Sequence, residues 1–96
     1  MDLMKVVGTV VATHKDPKLN GLKLLIGKVI RLDGSLTETY HVAVDTVGAG
    51  TGEVVIIVRG SSARMTETTD KRPVDTAIIG VVDEIEVSGK IIWQKE

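Results

Sequence analysis

One stretch of the chain, Gly48-Ala49-Gly50-Thr51-Gly52-Glu53, has a pattern that invites ligand chemistry. Closely spaced glycines let backbone N–H groups approach a phosphate, as in the dinucleotide fingerprint G-x-G-x-x-G. Here Glu53 stands where the last glycine of that fingerprint belongs. The residues that follow, Val54–Val58, read as a strand, whereas the fingerprint opens a helix. No Gly-Lys-Ser/Thr follows either, which excludes a Walker loop. The pattern favours a tight turn between strands, with glycine chosen for positive φ or for close backbone approach.

Other reactive side chains are sparse. His14 and His41 are the only histidines and cysteine is absent, too few ligands for a metal site. His41 and Asp45 share a strand face, and Ser61 and Ser62 carry hydroxyls. No nucleophile elbow or comparable spacing joins them into a triad. Asp83, Glu84 and Glu86 would split between the two faces of a strand, as a solvated rim does. The sequence therefore predicts no catalytic residue, no cofactor and no metal. An enzyme binding a small ligand or nucleotide at the glycine turn is the third-ranked hypothesis.

The elements that must position these residues follow from composition. In 96 residues there are 15 Val, 9 Ile and 10 Thr, no Phe, and only Tyr40 and Trp93 as aromatics. β-branched side chains suit a pleated, half-buried surface, so an all-β domain is expected. Strands are read at Met4–Thr13, Leu22–Leu32, Thr39–Asp45 and Glu53–Arg59. A long strand at Thr76–Val87, with Gly80 at a bend, and a short one at Ile91–Gln94 complete the set. Asp16-Pro17, Asn20-Gly21, Asp33-Gly34 and Ser88-Gly89 supply turn chemistry. Ser61–Met65 is expected to form a short helical turn, and the polar Thr66–Pro73 a mobile exposed loop. The sum is one domain over residues 1–96, a small, closed or nearly closed five-stranded antiparallel β-barrel with one short helical turn, of a size that raises the oligonucleotide-binding fold.

Val6–Val11, Val54–Val58 and Ala77–Val82 are apolar on both faces, although a small free barrel should be polar outside. Loops covering the outer face would explain this. The favoured explanation is burial against another subunit, which would stabilise so small a domain. A net charge of −1 and two aromatics argue against nucleic acid and anionic membranes as partners. An oligonucleotide-binding module remains the leading alternative. No signal peptide is apparent and no apolar run is long enough to span a bilayer as a helix, so an intracellular protein is expected.

Three blocks carry a family resemblance: Ala43–Glu53 around the glycine turn, Arg59-Gly60-Ser61-Ser62-Ala63-Arg64, and Pro73–Asp83. In this order and spacing they resemble the EutN/CcmL family, the vertex proteins of bacterial microcompartments. The resemblance runs over nearly the whole chain, with Met1-Asp2-Leu3 preceding the usual start. It implies a structural shell protein of the bacterial cytoplasm that caps the fivefold corners of a polyhedral shell. The implied partners are its own copies, as a homopentamer in preference to a hexamer, and the hexagonal shell proteins of the same compartment. By the same resemblance, Asp45, Gly48, Ala49, Gly50, Gly52, Gly60, Ser61, Ser62, Ala63, Arg64, Pro73 and Asp75 are candidates for the subunit interface or central opening. Asp45 and Asp75 are further expected to pin the turns by accepting backbone N–H bonds.

Overall fold

The β-branched runs form strands in the computed structural model, which describes residues 1–96. β1 covers Asp2–Val10, β2 Leu24–Ile30, β3 Leu36–Asp45, β4 Val54–Arg59 and β5 Thr76–Val81. They close into a barrel in the order β1-β2-β3-β5-β4, with β4 pairing back onto β1. Four seams are antiparallel, while β3 and β5 meet in a short parallel seam that sets Val44 opposite Ala77. The expected antiparallel barrel is thus mixed at one place, for a topological reason. An odd number of strands cannot alternate direction all the way round a closed ring.

Met4, Val6, Leu25, Ala43, Val55, Ile57 and Ile78 fill the barrel, and Ala49 joins them from the turn after β3. Two further clusters lie outside the wall. In one, Val44 and Ala77 pack with Ala63 and Val74, beneath a 3-10 turn at Gly60–Arg64 and the loop after it. Leu19, from a second 3-10 turn at Pro17–Leu19, borders the same cluster. In the other, Ile30, Val54 and Val82 pack against Ile85 and Trp93 of a hairpin. The hairpin is β6 (Glu84–Val87) and β7 (Lys90–Gln94), a two-stranded sheet separate from the barrel.

These clusters correct two expectations. The outer faces of Val54–Val58 and Ala77–Val82 are largely covered from within the subunit, so their two-sided apolarity does not by itself report a neighbour. The Val6–Val11 run differs: Val7 in β1 and Val11 just beyond it remain 41% and 90% exposed. The predicted strand over Thr76–Val87 is also broken. β5 ends at Val81, the Val82 N–H donates to the Val54 carbonyl at 2.8 Å, and the chain leaves the barrel at Asp83. Gly80 pairs with Ile56 at the register shift between β4 and β5, an irregularity at the position where a bend was expected.

The N-terminus belongs to the barrel and is no appendage. Asp2 and Leu3 pair with Ile57 and Ile56, and the Asp2 carboxylate meets the Arg59 guanidinium at 2.9 Å. At its other end β1 stops at Val10, before the predicted Thr13.

Candidate functional site

β3 ends at Asp45, and the chain crosses one end of the barrel before entering β4. The Asp45 carboxylate accepts the Val47 N–H at 3.1 Å, the pinning expected of it. The Thr46 hydroxyl donates to the Ile78 carbonyl at 2.7 Å. Ala49 then turns inward as part of the barrel core, 1% exposed, and Lys23 Nζ donates to its carbonyl at 3.0 Å. Ala49 is therefore a plug for its own barrel, and its side chain is not available to a neighbour.

Gly48 and Gly52 have φ of 79° and 91°, the left-handed region that costs glycine nothing. Gly50 has no positive φ, and a Cβ there would meet only Glu53 Oε1 at an ordinary 3.6 Å. The strain and crowding expected at Gly50 are thus absent within one subunit. The turn is sewn to β1 by the Gly52 N–H on the Val6 carbonyl (2.8 Å) and the Val6 N–H on the Glu53 carbonyl (2.9 Å).

Glu53, the residue that spoils the nucleotide fingerprint, does structural work here. Its Oε1 accepts the Gly50 N–H at 2.7 Å, and its Oε2 pairs with Lys95 Nζ at 2.7 Å. Lys95, the Gly50 amide and, at longer range, Lys23 hold the Glu53 carboxyl below the usual carboxylate range. Glu53 in turn raises the Lys95 ammonium above its usual value. A glutamate three residues after a turn glycine was a legible signal. Its partner Lys95, 42 residues further on, was not.

The second group gathers at the far end of β4. Gly60, with φ of 69°, donates its N–H to the Asp75 carbonyl at 2.8 Å, and Arg64 donates to the Val74 carbonyl at 3.2 Å. Asp75 thus pins the turn through its backbone, where its carboxylate was expected to do so. Ala63 is fully buried in the outer cluster, whereas Ser61, Ser62, Arg64, Pro73 and Asp75 are exposed. The fold brings Gly60–Arg64 and Pro73–Asp75 together. It keeps them apart from the glycine turn by the length of β4, roughly 20 Å.

The loop between these two segments is fastened, contrary to expectation. Thr69 is fully buried, its hydroxyl donating to the Ala63 carbonyl at 2.6 Å and lying 2.6 Å from the Thr66 hydroxyl. Arg72 reaches the Lys18 carbonyl at 2.8 Å and the Asn20 carbonyl at 3.3 Å.

The molecule thus exposes two separate turn surfaces, both held from beneath. A family described as "Ethanolamine utilisation protein EutN/carboxysome" matches residues 1–83. The chain belongs to the EutN/CcmL family. The match begins at residue 1, so Met1-Asp2-Leu3 is no departure from the EutN/CcmL pattern. A carboxysome shell vertex protein CcmL from Nostoc sp. is 45% identical over 97 residues, spanning 100% of this chain and 96% of that one. A bacterial microcompartment shell vertex protein GrpN from Rhodospirillum rubrum is 49% identical over 88 residues, spanning 90% and 97%. The solved structure of Gloeobacter violaceus CcmL superposes with a TM-score of 0.95 at 40% identity, covering 99% of this chain and 98% of that one. The GrpN structure, described as a pentameric microcompartment shell protein, gives 0.83 at 44% identity, covering 91% and 99%. These EutN/CcmL likenesses favour the vertex reading over the oligonucleotide-binding one.

Proposed function

We propose that this chain is a structural subunit of a bacterial microcompartment shell, closing into pentamers that cap the fivefold vertices. The observation that carries this reading is the end-to-end likeness in sequence and fold to shell vertex proteins, one of them solved as a pentameric shell protein. A ring needs two different patches on each subunit, because a heterologous contact must repeat head to tail until it closes. Two exposed turn surfaces at opposite ends of β4 suit that geometry. Gly48, Gly50 and Gly52 offer backbone without side chains, so a neighbour can approach closely. Ser61, Ser62, Arg64, Pro73 and Asp75 offer the second patch, while Asp45, Ala49, Gly60 and Ala63 hold the turns in place from behind.

The chain acts by shape alone, in the shell within the bacterial cytoplasm, with no reaction, cofactor or metal of its own. A sheet tiled only by hexagonal units stays flat, and pentagons supply the curvature that closes it. Co-expression with the hexagonal shell proteins of its compartment tests this by electron microscopy. Closed polyhedra with this chain present, and open sheets or tubes without it, are the expected result. Shells that close equally well in its absence would overturn the reading.

A further inference from the structure

The Glu53 carboxylate joins two parts of the molecule that share no strand pairing. One oxygen holds the Gly50 amide of the glycine turn, and the other holds Lys95 at the end of the C-terminal hairpin. The Lys95 backbone is itself fixed, its N–H donating to the Asp83 carbonyl at 2.8 Å. An isolated two-stranded hairpin is marginal in water, so β6–β7 depends on what it docks against. Ile85 and Trp93 dock it on the outside of the barrel, Lys5 Nζ lies 5.6 Å from the Trp93 ring centre, and the Lys95–Glu53 pair fastens its base.

We infer that the C-terminal hairpin is a clasp on the glycine turn. Lys95 orients Glu53, Glu53 fixes the Gly50 amide, and the turn keeps its assembly-ready shape while the hairpin is docked. Lys95 and Glu53 are positioning residues for ring formation. This rests on the reading that Gly48–Gly52 meets a neighbouring subunit. The proposal has a pH consequence, and the groups that set it are few. Glu53 faces Lys95 and Lys23, Lys95 faces Glu53 and Asp83, and Lys5 and Glu96 line the same cleft. Glu53 is held charged below its ordinary range, so the clasp stays intact above that range and opens as pH falls through the lowered value. Removing Lys95 takes away the largest cause of that lowering, so acid opening should then begin at higher pH.

The test uses the full chain, with Gly50 amide hydrogen exchange and ring mass followed from pH 7 downwards. Lys95→Ala should speed Gly50 exchange about fivefold, weaken ring formation by a similar factor and move acid dissociation to higher pH. Lys95→Arg should restore all three, and Lys90→Ala, in the same hairpin, should change none. Glu53→Gln, which keeps an amide oxygen for Gly50 but loses the charge, should abolish the acid step. Unchanged Gly50 exchange and an unchanged acid midpoint in Lys95→Ala would overturn the clasp, as would the same effects in Lys90→Ala. A wild-type chain that stays monomeric, yet loses Gly50 protection in Lys95→Ala, would refute the ring contact and support the clasp.

Discussion

Between β3 and β4 the chain is glycine-rich, and between Gly60–Arg64 and β5 it is polar. The two connections are held by different means. The glycine turn is anchored through its backbone, to Val6 on one side and to the Glu53 carboxylate on the other, with Ala49 pushed into the barrel. The polar loop is anchored through side chains, Thr69 onto the Ala63 carbonyl and Arg72 onto the Lys18 and Asn20 carbonyls. Glycine content therefore does not make the first loose, and polarity does not make the second mobile. What fixes each is whether its donors and acceptors find partners.

The sharpest way to break this contrast is at the plug. Ala49→Asp would bury an unpaired charge in the barrel core and should cost about 3–5 kcal/mol. A melting temperature lower by more than about 12 °C is expected for a domain of this size. A loss below about 1 kcal/mol would mean that the turn lifts away from the barrel. In the polar loop, Thr69→Val keeps the shape but leaves the Ala63 carbonyl without its donor, which should cost about 1–3 kcal/mol. Denaturant unfolding measures it, and a change under about 0.5 kcal/mol would restore the picture of a free loop.

The next prediction separates assembly from folding. Gly50→Val should leave one subunit folded, because Gly50 has no positive φ and a Cβ there meets only an ordinary contact. It should still abolish the ring, since a branched side chain would stand where a neighbour approaches. Circular dichroism checks the retained β fold and native mass spectrometry the lost ring. Rings of normal mass would move the interface elsewhere, to the exposed Val7, Tyr40 and Val42 of β1 and β3. The paired control is Glu67→Ala on the exposed side of the polar loop, expected to stay within about 0.5 kcal/mol and to assemble normally.

The barrel was legible because Val, Ile and Thr cluster in runs bounded by Asp33-Gly34, Gly48–Gly52 and Ser88-Gly89. Strand ends were less so. β3 starts at Leu36, before the predicted Thr39, because Leu36 pairs with Ile30 across the hairpin, a tertiary fact no local pattern records. The break after Val81 was hidden for the same reason, since Val82 bonds to Val54 in another strand. At the candidate site the blocks themselves stood out, but the direction of each side chain did not. Ala49 and Ala63 look like neighbours of exposed glycine and serine, and only the folded chain turns them inward. Thr69, Arg72 and Lys95 act through partners distant in sequence, a kind of contact that composition and spacing leave blank.

Ring closure is what a vertex subunit must achieve, and the mass of the assembled protein measures it most directly. Native mass spectrometry of the 10.3 kDa chain at micromolar concentration should show one dominant species of five copies, about 51 kDa. Monomer alone at every concentration tested would contradict the account, and a ring of six would remove its argument for a fivefold vertex.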